Sequence, residues 1–196
     1  AGMNISGNFN TSGNAEFFNT SSSPDGMNIS GTVSVGKTGK FTNDGAGGLN
    51  VTQSGKVDTN AGLEMLNTGA KGINIAGNVT NKGTGLIKNT ETGTDGINIS
   101  GTVKNSTPNT ENVNLNIVND GSNGVNVTGK VDGSQFSNVN ITNTGNNGIN
   151  ISGSVKGTHV NTDNTGAKGT YVASTGRVNG DFINIKDDST GGTRIQ

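Results

Sequence analysis

The chain offers few residues that could do acid–base, nucleophilic or metal chemistry. Its single histidine, His159, lies in a polar stretch without a companion base, and one exposed imidazole cannot run proton transfer without a positioned partner. The carboxylates Asp25, Asp44, Asp95, Asp120 and Asp132 are spread along the sequence, mostly next to glycines, as turn chemistry dictates. Asp187 and Asp188 are adjacent and could meet a cation, but two neighbouring carboxylates with no third ligand make a poor site. There is no cysteine, which removes disulfides and thiolate metal sites. No Gly-x-x-x-x-Gly-Lys-Ser/Thr phosphate loop and no calcium-binding nonapeptide occurs. The expectation is a non-enzymatic protein without cofactor or metal.

The remaining candidate chemistry belongs to asparagine. Asn-x-Ser/Thr recurs at Asn4, Asn28, Asn50, Asn98, Asn126, Asn140 and Asn150, each an acceptor signature for N-glycosylation. The copies multiply because a longer unit repeats. Gly2-Met3-Asn4-Ile5-Ser6-Gly7 returns as Gly26-Met27-Asn28-Ile29-Ser30-Gly31 and six times more, led by Gly48, Gly72, Gly96, Gly124, Gly148 and Gly169. The steps between leading glycines are 24, 22, 24, 24, 28, 24 and 21 residues. A period in that range marks a solenoid.

Within a unit, Ile73-Asn74-Ile75 places two isoleucines on one face and asparagine on the other, the period of a half-buried strand. A second strand is clearest in Leu115-Asn116-Ile117-Val118-Asn119 and Val139-Asn140-Ile141-Thr142-Asn143. A short third one is expected around Val79 or Val103. Helix is disfavoured by the glycine, asparagine and β-branched content. The fold class is therefore all-β: a parallel β-helix, or β-solenoid, of about eight coils of roughly 24 residues, forming one domain over 1–196. Stacked at about 4.8 Å, eight coils make a rod on the order of 40 Å long.

Strand parity assigns two asparagine columns. Asn19, Asn43, Asn67, Asn89, Asn119, Asn143 and Asn164 fall on the inward face ahead of a glycine corner, where stacked amides can satisfy one another as a ladder. Asn4, Asn28, Asn50, Asn74, Asn98, Asn126 and Asn150 point outward, with Tyr171 in the eighth unit. Ser6, Ser30, Thr52, Ser100, Thr128 and Ser152 follow two residues later and extend a polar outer face. That face reads first as solvated strand surface, then as a glycosylation or glycan-contact face, and least as an ice-binding plane, since asparagine stands where ranked threonines would be expected.

Hydrophobic residues are 27% and aromatics 4%, too few for a broad core but sufficient for a narrow one built coil by coil. Disorder is opposed by the net charge of only −1 and by the registered aliphatics. Thirteen basic and fourteen acidic residues without a basic run suggest neither nucleic acid nor anionic lipid as partner. No apolar run approaches a membrane span, and Ala1 begins no signal-peptide pattern, as for a mature protein or an excised piece. The step from Gly96 to Gly124 holds a polar segment, 104–112, expected to bulge as a contact loop. Phe17, Phe18 and Phe182, near the two ends, are candidates for an end-to-end joint between copies.

In its Gly-h-Asn-h-Ser-Gly-x-Val unit (h, aliphatic) and Asn-Thr-Gly corner, nearly the whole chain resembles the β-helical stalks of bacterial surface adhesins, the passengers of autotransporters and filamentous haemagglutinin-like exoproteins. The resemblance implies an extracellular rod at a bacterial surface, contacting itself or glycans and proteins of a host or cell surface. The alternative is a self-assembling extracellular filament subunit.

Overall fold

A computed structural model describes residues 2–20, 24–90, 94–107, 111–134 and 136–196. Every assigned element is a strand, and every strand pairs in parallel with its counterparts one coil away. The first sheet stacks nine three-residue strands, from Met3–Ile5 through Met27–Ile29, Leu49–Val51, Ile73–Ile75, Ile97–Ile99, Val125–Val127, Ile149–Ile151 and Thr170–Val172 to Thr193–Ile195. The second holds eight, from Asn8–Thr11 to Arg177–Asn179, and the third eight, from Ala15–Asn19 to Phe182–Asp187. The molecule is thus a three-sided solenoid of eight coils, with one further strand begun.

The register is uniform. Ile73, Asn74 and Ile75 face Leu49, Asn50 and Val51 on one side and Ile97, Asn98 and Ile99 on the other. Because side chains alternate across a strand, this alignment puts like on like: aliphatics in a continuous interior column, asparagines outside. Ile73, Ile75, Ile87, Ile97, Leu115, Ile117, Ile149 and their neighbours are fully buried in a single narrow core. Each such side chain contributes about 1.5–3 kcal/mol.

The third strand is not the sporadic feature that the sequence suggests. It recurs in every coil as a sheet of its own, with a valine at the same inward position from the second coil onward: Val33, Val57, Val79, Val103, Val131, Val155 and the half-buried Val178; the second coil adds Val35 to the core. The expected bulge at 104–112 does not begin at its first residue. Lys104 and Asn105 belong to the strand Thr102–Ser106, and Thr107 is buried, so this part of the segment lies within the coil. Pro108, Asn109 and Thr110 lie outside the described residues.

Two glycine requirements shape the corners. Gly96 opens the fifth coil at φ +70°, a conformation that side chains with a Cβ rarely adopt. At the next corner the coils approach too closely for a side chain: a methyl on Gly129 would sit 2.1 Å from the Gly101 carbonyl oxygen. The aromatic residues divide between core and flank. Phe17 points inward, stacked on Phe41 at 5.1 Å and edge-on to Phe9 at 5.0 Å. Phe18 and Phe182 project from the outer flank of the third sheet, and Phe182 lies 5.7 Å from the His159 ring. Of the three proposed joint residues, only Phe17 belongs to the core column.

Thr162 replaces an aliphatic between Ile141 and Ile185, 1% exposed, with no hydrogen-bond partner for its hydroxyl among the described residues. Thr162→Val keeps the shape and removes the unpaired group, so it should stabilise the fold by about 1 kcal/mol. Gly129→Ala should destabilise it by at least about 1 kcal/mol. Thermal unfolding of the two variants beside the native chain checks both signs.

Candidate functional site

The inward asparagines form the ladder that parity dictates. The Nδ2 of Asn19 donates to Asn43 Oδ1 at 2.7 Å. The chain continues through Asn67, Asn89, Asn119, Asn143 and Asn164 at 2.8–2.9 Å. These side chains are 0–6% exposed. Asn43 shows how such burial is sustained. Its Nδ2 donates to Asn67 Oδ1 and to the Gly45 carbonyl, while its Oδ1 accepts from Asn19 Nδ2 and from Gly45 N. Two donors and two lone pairs are all used, and Asn143 repeats the arrangement. These amides are structural and have no valence left for a ligand.

The ladder ends on a carboxylate that sequence reading missed in this role. Asp187 occupies the asparagine place in the eighth coil, in register with Asn164. Its Oδ1 accepts from Asn164 Nδ2 at 3.3 Å and Ser189 N at 2.9 Å, and its Oδ2 from Thr170 N at 2.6 Å. Burial alone would raise its pKa, but the hydrogen bonds from Ser189, Thr170 and Asn164 outweigh it and hold the group at about 2. Asp188 turns away to pair with Lys186 at 3.0 Å, so the two adjacent carboxylates do not converge on a common point.

A second buried seam was also missed. Thr59 Oγ1 donates to Asn81 Oδ1 at 2.7 Å, Asn81 Nδ2 to Asn105 Oδ1 at 2.6 Å, and Asn105 Nδ2 to Ser137 Oγ at 2.9 Å. The signal was available: Asn81 and Asn105 share the parity of Val79 and Val103 and stand 24 residues apart.

The outer asparagines also hydrogen-bond coil to coil, in the opposite sense. Asn28 donates back to Asn4, and Asn50, Asn74, Asn98, Asn126 and Asn150 each donate to the preceding coil at 2.9–3.2 Å. Asn28, Asn98 and Asn150 give their second N–H to the carbonyl three residues before them. An N-linked sugar would replace one of these hydrogens. Asn140 belongs elsewhere, to an outer column of the third sheet with Asn116 and Asn161 at 2.9 Å. Tyr171 ends the first column, its hydroxyl 2.6 Å from the Gln196 side-chain amide and its ring 5.7 Å beneath the Arg194 guanidinium.

His159 Nδ1 lies 3.0 Å from Asn138 Oδ1, with no carboxylate beside it among the described hydrogen bonds. Among the described residues no group of three or more His, Asp or Glu side chains is placed to hold a metal, and no helix is long and apolar enough to cross a membrane.

Charge is where the three-dimensional arrangement departs most from the linear reading. Lys56, Lys82, Lys104, Lys130, Lys156 and Arg177 all project from the outer face of the second sheet, one per coil from the third to the eighth. All six are exposed. This face carries six of the thirteen basic residues but only two of the fourteen acidic ones, Asp58 and Asp132. The sequence has no basic run, yet the fold assembles a basic strip. Compared with known protein families, curated proteins and solved structures, the chain matches none.

Removing one inner amide breaks the ladder on both sides. Asn119→Ala removes the Oδ1 that accepts from Asn89 Nδ2 and the Nδ2 that donates to Asn143 Oδ1, both buried, and should destabilise by about 2–5 kcal/mol, whereas Asn74→Ala on the exposed column should cost under about 1 kcal/mol. Chemical denaturation of both variants measures the contrast. For Asp187 the folded pKa lies below the ordinary aspartate value of 3.8. Its stabilisation is therefore complete above about pH 4 and is lost as pH falls toward 2. Asp187→Asn, with one acceptor oxygen instead of two, should melt earlier at pH 7 and lose less between pH 4 and pH 2 than the native chain.

Proposed function

We propose that this chain is an extracellular adhesive or structural rod at a bacterial cell surface, without enzymatic activity, working by mechanical extension and by multiple weak contacts along its outer faces. The observation that carries this reading is the uninterrupted in-register stack of eight coils, each bonded only to its neighbours. Such a stack converts chain length directly into reach, at about 4.8 Å per coil. Its stability comes from aliphatic columns and amide ladders and needs no disulfide, as suits a chain folding coil by coil outside the cell. The likeness to β-helical adhesin stalks in the repeat unit points the same way.

The test is immunolabelling of intact cells of the source bacterium with antibody against the purified chain. Label on intact cells, removed by external protease, is expected; label only after permeabilisation overturns the reading. Negative-stain electron microscopy of the purified chain addresses the mode of action. Separate short rods are expected, and long uniform fibres would replace the stalk with an end-joined filament.

A further inference from the structure

We propose that the outer face of the second sheet is a docking strip for an acidic polysaccharide lying along the rod. This gives the glycan contact a partner class and rests on the surface-rod reading for its biological setting.

The cations follow one another coil by coil. In one outward column Lys56, Asn78, Thr102, Lys130, Ser154 and Arg177 are consecutive, and in the next column Asp58, Thr80, Lys104, Asp132 and Lys156 are consecutive. Lys82 extends the fourth coil's strand by one more outward position. The result is a zigzag of six cations over five coil steps, roughly 24 Å at about 4.8 Å per step. From Lys82 to Arg177 successive cations stand one coil and two strand positions apart, about 8 Å at the backbone, inside the Debye length of about 10 Å at 0.1 M salt, so their fields add along that part of the strip. Only Lys56 is neutralised locally, by Asp58 at 3.3 Å. Lys82, Lys104, Lys130, Lys156 and Arg177 form no ion pair within the described residues.

The rest of the molecule is charged differently. The outer face of the third sheet alternates, with Glu16, Lys40 and Glu64 in consecutive coils and Asp163 paired to Lys186. The first sheet presents an uncharged asparagine column. A net charge of −1 thus conceals a strip whose six cations outnumber its two anions.

Chemistry and shape select the occupant. A narrow zigzag of cations running along a β face complements an extended polyanion. Between the cations stand Asn78, Thr80, Thr102 and Ser154, amide and hydroxyl groups that pair with sugar hydroxyls. No aromatic side chain projects outward from this sheet among the described residues, so the stacking platform on which single-stranded nucleic acids depend is missing. A chain bearing regular carboxylates or sulfates fits these features best.

The test measures binding of the purified 196-residue chain to immobilised polygalacturonate and heparin, with neutral dextran as blank, from 50 to 300 mM salt. Binding that weakens linearly in log–log form with salt is expected, because each cation engaged releases counterions. The strip variant Lys82→Gln/Lys104→Gln/Lys130→Gln/Lys156→Gln should bind at least about tenfold more weakly and with a shallower salt slope. The off-strip variant Lys40→Gln/Lys71→Gln/Lys88→Gln/Lys168→Gln, which removes equal charge, should keep most of its affinity. Asp58→Asn/Asp132→Asn should bind several-fold tighter, a gain that misfolding cannot imitate. Absence of binding at 50 mM salt, or equal loss in both lysine variants, overturns the strip. Tighter binding of single-stranded DNA than of either polysaccharide overturns the choice of occupant. Either failure in this purified system leaves the cell-labelling result standing, so the strip and the surface location are judged separately.

Discussion

In-register stacking of each coil on the last is the constraint from which the rest of the structure follows. A parallel strand pair aligned residue for residue places every side chain above its own counterpart, so any property of the repeat becomes a property of a column. Buried columns must then be made of groups that tolerate their own kind. Aliphatics do so by packing, and asparagine does so because an amide is both donor and acceptor and can bond an identical amide 4.8 Å or so away. A lysine in the same inward place, which donates but cannot accept, would lack one half of that complementarity. The ladder of Asn19 through Asn164 therefore also locks register: a one-residue slip would expose seven buried amides and bury seven outward side chains.

The two asparagine columns run in opposite senses. The inner amides donate toward the C-terminal end and the outer ones toward the N-terminal end. Each direction is set by where the second N–H goes: inner amides such as Asn43 reach the corner carbonyl two residues on, and outer amides such as Asn28 the carbonyl three residues back. Both columns change character in the eighth coil. Asp187 accepts but cannot donate, and Tyr171 replaces amide stacking with an aromatic ring. A directional ladder that runs C-terminally must end on an acceptor, and a carboxylate with two oxygens also satisfies the backbone N–H groups of Thr170 and Ser189 left at that corner.

The first and third sheets were legible in the sequence because many of their strands carry two inward aliphatics flanking a polar residue, as in Ile73-Asn74-Ile75 or Leu115-Asn116-Ile117. The inner ladder was legible for the same reason, one parity step beyond those aliphatics. The second sheet was legible only as a short strand around Val79 or Val103, since most of its strands hold a single core valine and one apolar residue has no periodicity. The Thr59–Asn81–Asn105 seam lay hidden with it, and the eighth-coil role of Asp187 was masked by its neighbour Asp188. The variable step from Gly96 to Gly124 was correctly located, but its strand portion was misjudged, because Lys104-Asn105-Ser106 is polar throughout and is held in the sheet by pairing with Asn81 and its neighbours.

The basic strip was invisible for a deeper reason. Its residues are separated by 21 to 26 positions in sequence and lie on two or three adjacent outward columns, so neither a window nor a strict period collects them. Inside a solenoid the sequence must repeat to satisfy the columns, whereas outside it is free to vary so long as residues remain polar. An excess of cations over anions on one of three outer faces is then not required by the fold: lysine on the third sheet's flank, where Lys40, Lys88 and Lys186 stand, would stabilise the rod as well as lysine on the second. Stability alone would scatter these cations, and like charges stacked within a Debye length of one another repel. Their alignment on one face opposes the fold slightly, which is the relation between stability and specificity that a recognition surface requires and that a passive wall does not.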